Sequence, residues 1–413
     1  MALVVRNARI IDGQGVRPKE SHSILIEGEK ISRIAPDSHL PLEKVLRHEV
    51  INATGKSVIP GIINMHQHFI FRRTYGPLWH QFKLPVPVLT TRAIKNALAE
   101  LKSGVTTVRE LGSVAGINQC LKYMIEHKFI LGPRIFSAGQ PLGITGSHAK
   151  AIAQPVNGVH EARRWVRERV QYVDWVKVFA SFDPFDFGGE EYARPEFEIE
   201  ELKVMADEAH KAGKKIAAHA VGSKAIRNAV EAGVDTIEHG IYLNRELAKI
   251  MKERNIVLIP TLTAYTQTLN RTYARGDKWI ELHAAVIEPH KKSFKLALEE
   301  GVKIGMGLDS LGDLKEEVCL WRDVGGIDAN EIIKICTRDN AEILGVEEKL
   351  GTIEEGKIAD LLILDEDPLE DIENIDKISY IIKEGRPFKP EEIMLWTQYE
   401  NEEYNSLIPE LIK

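Results

Sequence analysis

Residues 215–239 read KIAAHAVGSKAIRNAVEAGVDTIEH and contain a strand pattern, a helix pattern and a second strand pattern in immediate succession. The first run, Lys215–Ala220, is short and apolar, as buried strands are. Ser223–Ala232 places apolar residues at helical spacing, and Gly233 marks its end. Thr236–His239 is again a short β-type run. The stretch therefore predicts one strand–helix–strand unit of an α/β protein.

The same unit recurs along the middle of the chain, where eight short β-type runs alternate with helical patterns. Strand then helix, repeated eight times, is typical of a (β/α)₈ barrel resembling that of triosephosphate isomerase. A doubly wound open sheet is the structural alternative, and the number of strands favours the barrel. The eight runs are Ser57–Met65, Val105–Glu110, Pro133–Ala138, Trp175–Ala180, Lys215–Ala220, Thr236–His239, Ile256–Thr261 and Lys303–Leu308.

Both ends of the chain carry further strand patterns. They are Leu3–Ile11, Ser23–Ile34, Ala359–Leu364 and Ile378–Lys383. Because chain termini often lie close together, we expect these strands to form one small β-sandwich. The predicted domains are a β-sandwich of residues 1–55 plus 356–390, a barrel of residues 56–355, and a C-terminal extension of residues 391–413.

Composition excludes several classes of protein. Of 413 residues, 44% are hydrophobic and 28% are charged, as in ordinary globular chains. A net charge of −7 argues against a nucleic-acid-binding protein, which needs a concentrated basic surface. We find neither an apolar run of about 18 residues nor a secretory signal pattern. The three cysteines make neither a disulfide framework nor a thiolate zinc site, so we expect a cytoplasmic protein without a membrane partner.

Histidines and one aspartate stand at the predicted strand ends. His66 and His68 are two residues apart on the first strand, so both side chains face the same way. His219, His239 and Asp309 end the fifth, sixth and eighth strands. Each residue alone is explained by a capped strand end or a core histidine. Together they converge on the mouth of the barrel, and such a donor set suits zinc or a similar divalent ion.

Lys177 lies inside the apolar fourth strand and shares a face with Trp175 and Phe179. Burial of a lysine favours its neutral amine. A neutral amine reacts with CO₂ to give a carbamate, which is an anionic ligand able to bridge two metal ions. The alternative is a lysine that reaches out to solvent, and the five other strand-end residues favour the carbamate.

These residues, together with four sequence segments, resemble the amidohydrolase superfamily over nearly the whole chain, and most closely its prolidase and imidazolonepropionase-related branch. The segments are Pro60–His68, Gly104–Arg109, Asn340–Gly345 and Gly351–Leu361. The resemblance implies two divalent ions, which we expect to be Zn²⁺. The ligands that it implies are His66, His68 and Asp309 for the more buried ion, His219 and His239 for the second, and carboxylated Lys177 as the bridge.

The resemblance also implies a reaction. Members of this branch hydrolyse peptide-type C–N bonds, as in Xaa-Pro dipeptides and N-acyl amino acids, through attack of a hydroxide that bridges the metals. Asp309 is our candidate for the general base. His148, in Thr145-Gly146-Ser147-His148, and Tyr242 resemble residues that face the substrate carbonyl. We expect a small-molecule substrate and a homo-oligomer.

Asn64, Glu110 and Ser147 depart from the pattern of the branch, and they leave the substrate more open than the metal site. One alternative is a deaminase of a heterocyclic amine, but that branch carries glutamate three residues after the fifth-strand histidine, where this chain has Gly222. A second alternative is a non-catalytic barrel scaffold. Such a descendant loses metal ligands, and this chain keeps all of those named.

Two loops are candidates for substrate walls or ordinary insertions, Ser181–Phe197 and the segment from His66 to Thr90. Their aromatic residues suggest an apolar substrate group, and three arginines suggest a substrate carboxylate, although packing and ordinary ion pairs explain both sets. These residues are Tyr75, Trp79, Phe182, Phe185, Phe187, Arg72, Arg73 and Arg109.

Overall fold

The computed structural model describes residues 2–39, 49–71, 84–183, 190–271, 277–310 and 312–393. The chain divides into two compact units. One contains the described residues among 1–64, 97–107 and 314–393, and the other contains those among 65–96 and 108–313.

Strands and helices alternate through most of the described chain. The strands are β1 (Ala2–Ile10), β2 (Lys19–Glu27), β3 (Lys30–Pro36), β4 (Glu49–Asn52), β5 (Ser57–Pro60), β6 (Ile62–Gln67), β7 (Val105–Glu110), β8 (Arg134–Ser137), β9 (Leu142–Gly143), β10 (Gln154–Pro155), β11 (Trp175–Phe179), β12 (Lys215–Ala220), β13 (Thr236–His239), β14 (Val257–Ile259), β15 (Leu361–Leu364), β16 (Ile378–Lys383) and β17 (Arg386–Phe388). The α-helices are α1 (Val86–Lys102), α2 (Ile117–Glu126), α3 (Gly158–Arg169), α4 (Ile199–Lys211), α5 (Ser223–Ala232), α6 (Arg245–Glu253), α7 (Leu262–Arg271), α8 (Asp277–Glu300), α9 (Leu314–Gly325), α10 (Ala329–Lys334), α11 (Asn340–Leu344) and α12 (Pro390–Ile393).

The first unit contains an eight-stranded sheet built from both ends of the chain, in the order β17-β16-β15-β5-β1-β2-β3, with β4 also paired to β1. Its centre is the antiparallel pairing of β5 with β15, in which Val58 lies opposite Ile363. Buried aliphatic side chains of the early and late strands share one core cluster, which includes Ile10, Val58 and Ile363. This burial holds the two ends of the chain in one sheet.

The second unit contains a six-stranded sheet in the order β10-β9-β11-β12-β13-β14. Its strands run parallel, and the helices that follow them in sequence make the crossovers. A three-stranded sheet has the order β6-β7-β8. β11 and β13 are buried along their whole length. Such burial explains the nearly continuous apolar run of β11.

Most predicted elements are confirmed, with two differences. The first predicted strand divides at Gly61 into β5 and β6, where a Cβ would lie 2.2 Å from the Thr106 hydroxyl oxygen. The eighth predicted strand, Lys303–Leu308, makes an isolated bridge between Ile304 and Leu258, and its Met306 carbonyl oxygen accepts from the Met65 N–H at 2.9 Å. The predicted end of α5 is confirmed, since the helix spans Ser223–Ala232. The Asp328 carboxylate accepts from the Glu331 N–H at 3.0 Å and caps α10.

The fold is therefore mixed α/β and rich in sheet. The two chain ends share one sheet, while the end domain, its sandwich form, the closure of the barrel and the domain limits stay predictions. The C-terminal extension lies outside the described residues beyond Ile393. Among the described residues, no helix is long and apolar enough to cross a membrane. Cys120, Cys319 and Cys336 are free thiols.

Candidate metal centre

His66 and His68 are buried side chains near the end of β6. Their alternation along the strand turns both imidazoles to one side, and the ring centroids lie 5.3 Å apart. The Nδ1 atom of His68 lies 2.9 Å from the carbonyl oxygen of Gly112. A proton on this nitrogen makes the hydrogen bond and leaves the Nε2 lone pair for a metal ion.

Asp309 completes a first group of candidate ligands. One carboxylate oxygen of Asp309 and one ring nitrogen of each of His66 and His68 lie within 4.8 Å of one another. Burial by itself raises the pKa of the Asp309 carboxyl, but the two imidazoles and hydrogen bonds from Ser310 bring the pKa below its usual value. The group is therefore a carboxylate with two imidazoles, a set that suits a divalent metal ion.

Gly307 permits this close packing. A Cβ at this position would lie 2.5 Å from Cγ2 of Ile259 and 2.9 Å from Cβ of His66. Contacts below 3 Å force neighbouring atoms to move, so a larger residue here would displace the His66 backbone or the strand beside it.

His219 and His239 lie at the ends of adjacent parallel strands, β12 and β13, with ring centroids 4.7 Å apart. The His239 ring also lies 5.0 Å from that of His66. His239 has a left-handed backbone with φ of 72°, which interrupts the strand alternation. As a result the consecutive side chains of Glu238 and His239 both approach His66.

Lys177 lies in the middle of β11 with 1% of its surface exposed. In the register with β12 it is opposite Ala217, and Phe179 is opposite His219. The Lys177 Nζ and the His219 Nε2 are buried atoms without a hydrogen-bond partner among the described residues. Burial lowers the pKa of Lys177 to about 8. Two buried nitrogens without partners are costly unless a ligand binds them.

The four strand-end imidazoles are held in their neutral form. Burial lowers the pKa of His68 and lowers the pKa values of His66, His219 and His239 well below the usual value. Neighbouring positive groups, including Lys177, act in the same direction. Neutral imidazoles are the form that binds metals.

His148 belongs to a second group of possible ligands that also contains His219 and Asp183. One ligand atom from each residue lies within 4.8 Å of the others. The rings of His148 and His219 stack with centroids 5.4 Å apart, and the Asp183 carboxylate lies 3.7 Å from His219 Nε2. The Tyr265 hydroxyl donates to Asp183 at 2.8 Å.

Glu196 positions the backbone that carries His148. Its carboxylate accepts the backbone N–H of His148 at 2.8 Å and also bonds Ser147. Burial raises the pKa of Glu196 to about 7. Tyr242 is half-buried against the apolar cluster of Val221, Ile241 and neighbouring residues, and burial raises its pKa to about 12. The phenol is therefore protonated near neutral pH and can donate a hydrogen bond.

The profile of the Amidohydrolase family matches residues 57–387 of the chain. The chain belongs to the amidohydrolase family. This membership confirms the family predicted from the strand-end motifs, and the protein is a hydrolase that acts on carbon–nitrogen bonds. The family is metal-dependent, in agreement with the two groups of candidate ligands.

Relatives of this amidohydrolase include both curated proteins and solved structures. An ochratoxinase of Aspergillus niger is 27% identical over 427 residues, which cover 94% of this chain and 86% of the relative. The crystal structure of a Xaa-Pro dipeptidase with methionine bound in its active site has a TM-score of 0.84 and 27% identity, and covers 94% of this chain and 100% of that chain. A prolidase complexed with N-methylphosphonate-L-proline has a TM-score of 0.83 and 28% identity over the same shares of the two chains.

Sequence reasoning missed several polar residues around the centre. Asp183 and Tyr265 carry no motif, although Asp183 lies in the loop after β11 that was a candidate substrate wall. Arg109 does not remain available for a substrate carboxylate, because it pairs with buried Glu238 at 2.8 Å. Glu110, one of the departures, is buried and accepts hydrogen bonds from Asn118 and the Gly112 backbone. Phe182 contacts the Arg194 guanidinium. The other aromatic residues and arginines predicted to line the substrate lie outside the described residues; they are Arg72, Arg73, Tyr75, Trp79, Phe185 and Phe187.

Proposed function

We propose that this amidohydrolase cleaves a peptide-type amide bond of a small molecule at a centre of two divalent metal ions. The observation that carries the proposal is the meeting of two buried histidine pairs with Asp309 and the partnerless Lys177 amine. A deaminase with one metal ion has no use for this lysine. A non-catalytic scaffold would gain nothing from the cost of burying it.

The ligands proposed from the sequence fit such a centre. His66, His68 and Asp309 would hold the first ion, and His219 and His239 would hold the second. The Nε2 of His219 supports this assignment, because it has no hydrogen-bond partner among the described residues and a metal ion would supply one. When bound, the ions, which we propose to be Zn²⁺, lower the pKa of water and polarise a substrate carbonyl.

Lys177 would serve as the bridge in the form of a carbamate. Its Nζ has no hydrogen-bond partner among the described residues, and burial favours the neutral amine over the ammonium. Carbamate formation joins the amine nitrogen to CO₂ with loss of one proton. It replaces an expensive buried cation by an anion that is suited to metal ions.

Asp309 would handle the proton of the reaction. Its carboxylate is held by hydrogen bonds from the Ser310 N–H and hydroxyl, and its lowered pKa keeps it ionised before catalysis. In the proposed reaction Asp309 accepts the proton of the attacking water and returns it to the leaving amine. Loss of such a group costs about 10²–10⁴ in rate.

His148 and Tyr242 would bind the substrate carbonyl. The His148 ring stacks on that of the proposed ligand His219, and Glu196 fixes its backbone. Burial, together with the charges of Glu190, Glu191 and Asp183, raises the pKa of Tyr242, so its phenol is a neutral hydrogen-bond donor. Preorganised hydrogen-bond donors stabilise the developing oxyanion without having to reorient during the reaction.

The substrate class that we favour is a Xaa-Pro dipeptide or an N-acyl amino acid. Relatives described as a Xaa-Pro dipeptidase and a prolidase, together with the ochratoxinase, support this class. The ring of Phe179 near His148 and His219 gives the site an apolar wall. We propose that a (β/α)₈ barrel of residues 56–355 holds this centre, and that strands of both chain ends form the flanking domain.

A hydrolysis screen tests the proposal. Purified protein, loaded with zinc in bicarbonate buffer, is offered Xaa-Pro dipeptides, N-acyl amino acids and aryl amides, and the released amino acid is quantified. Ammonia release from purines, pyrimidines and triazines is measured in parallel. Cleavage of an amide without ammonia release from the heterocycles supports the proposal. Ammonia release alone would instead favour the deaminase, and fewer than one tightly bound metal ion per chain would favour the scaffold.

A further inference from the structure

Glu238 is a buried carboxylate that directly contacts one of the proposed metal ligands. Its Oε2 atom lies 2.8 Å from Nδ1 of His66, and both side chains are almost completely buried. A carboxylate accepts only, so the proton of the neutral imidazole lies on Nδ1. The Nε2 atom of His66 is then the atom that carries the free lone pair.

The second oxygen of Glu238 is held by two donors. Arg109 Nη2 donates to Oε1 at 2.8 Å, and the Thr236 hydroxyl donates to the same oxygen. Arg109 Nη1 in turn donates to the Thr236 hydroxyl oxygen at 3.1 Å. The carboxylate is therefore fixed in orientation and its charge is compensated inside the protein.

Arg109 is itself fixed on two further sides. Its Nε donates to the carbonyl oxygen of Met65 at 2.6 Å, and its Cζ lies 4.5 Å from the centre of the Trp175 ring. Since Met65 directly precedes His66, the network returns to the strand that carries the ligand. The position of the His66 imidazole is thus set by a closed set of buried contacts.

Two other strand-end imidazoles, one at each proposed metal position, have neutral partners at Nδ1. His68 donates to the carbonyl oxygen of Gly112 at 2.9 Å. His239 donates to the Thr261 hydroxyl oxygen at 2.7 Å, and this hydroxyl donates a hydrogen bond to the Pro260 carbonyl oxygen. A carboxylate partner makes an imidazole a stronger donor to a metal ion than a neutral partner does.

We infer that Glu238, held by Arg109, is a positioning residue that makes the metal position of His66, His68 and Asp309 tighter than the position of His219 and His239. This inference rests on the metal ligands of the proposed function. The inference predicts an order of metal binding. The position of His66, His68 and Asp309 fills first and empties last, and the position of His219 and His239 exchanges its ion more readily.

Titration of the metal-free full-length protein with Co²⁺ tests this order, because the visible spectrum of Co²⁺ reports each coordination site and needs no substrate. Wild-type protein should bind in two resolved steps. A chelator should then remove the ions in the reverse order, the second position first. Two steps of equal affinity in the wild type would overturn the inference and leave the proposed reaction standing, whereas no Co²⁺ binding would overturn both.

Variants separate positioning from folding. Glu238→Gln alone leaves Arg109 as an unpaired buried cation and is expected to destabilise the fold. The double variant Arg109→Met with Glu238→Gln removes both charges and keeps an amide oxygen for His66. It should fold, as thermal unfolding of the metal-free protein checks, and the affinity of its first Co²⁺ step should fall about 10–100-fold while the second step is unchanged.

Thr261→Val is the matched control at the other position. It removes the neutral partner of His239 and should weaken the second Co²⁺ step only. Equal weakening of both steps in the double variant would show a general loss of structure and would contradict the inference. An unchanged first step in that variant would contradict it as well.

Discussion

The backbone N–H of Asp309 donates to the carbonyl oxygen of His66 at 2.7 Å. Two proposed ligands that are far apart in sequence are therefore joined through the main chain as well as through any shared ion. Asp309 has a left-handed backbone, with φ of 56°, and this bond helps to hold it there. Side-chain substitutions at this position can therefore test chemistry while the backbone frame is preserved.

Replacement Asp309→Asn should reduce kcat/KM for a verified substrate by about 10²–10⁴, because the amide cannot accept the proton of the attacking water. Asparagine tolerates the left-handed backbone, so the fold should be retained. Steady-state kinetics and circular dichroism measure the two effects. The neighbouring Ser310→Ala serves as a control with a smaller loss, and wild-type activity in the asparagine variant would exclude the assigned role.

Replacement Lys177→Met should abolish binding of the bridged metal pair and raise the stability of the metal-free protein by roughly 1–3 kcal/mol. The gain follows because methionine fills a similar volume in β11 without a buried amine. Metal analysis and urea unfolding measure the two effects. In the wild type, bicarbonate should increase metal retention, and the methionine variant should not respond; a variant that retains both ions would contradict the bridging role.

Replacement Gly307→Ala should destabilise the protein by about 1–3 kcal/mol and weaken metal binding, since the new methyl group meets Ile259 and His66. Thermal unfolding and metal titration measure the effects. Addition of Ile259→Ala should recover part of the loss if the contact with that side chain is responsible. Simple additivity of the two destabilisations would argue against this cause.

Glu196 predicts a pH dependence of stability. Burial raises its pKa from the ordinary 4.5 to about 7, so between these pH values the folded state binds more protons than the unfolded state. Stability should therefore fall as the pH rises through this window. Glu196→Gln, which keeps an acceptor for the His148 N–H, should flatten this part of the profile.

The control for this measurement is Glu208→Gln. Hydrogen bonds from Arg167 and Lys211 lower the pKa of Glu208 to about 2, so its contribution is present above pH 4.5 and is lost as the pH falls. Its substitution should lower stability by a constant amount above pH 4.5 and change the slope of the profile only below pH 4.5. A Glu196 variant whose profile runs parallel to that of the wild type between pH 4.5 and 7 would refute the prediction.

The local elements could be predicted from sequence because their signals are local. Apolar runs located β11 and β12, and glycine marked the end of α5. Histidines at strand ends could be placed on one face because strand periodicity and the common edge of parallel strands are general rules. These rules predict that His66, His68 and Asp309 lie together, as their ligand atoms do in the structure.

The remaining features depend on contacts between distant segments. Glu238 follows an ordinary strand pattern, and only the structure shows that its carboxylate meets both His66 and Arg109. The left-handed turn at His239, which brings two consecutive side chains to one side, breaks the alternation on which strand reasoning depends. Similarly, among the described residues the eighth predicted strand forms an isolated bridge at Ile304 and single main-chain hydrogen bonds to its neighbours instead of a regular ladder.

The pairing of β5 with β15 has a consequence for biosynthesis. The ribosome makes β5, which ends at Pro60, about 300 residues before Leu361 begins its partner. At the usual rates of translation the edge of β5 waits roughly 15–60 s for that partner. During this interval an unpaired apolar edge is exposed to other nascent chains. Premature termination before Leu361 should therefore yield insoluble fragments, and chaperone engagement should be concentrated on nascent chains that have not yet reached this residue.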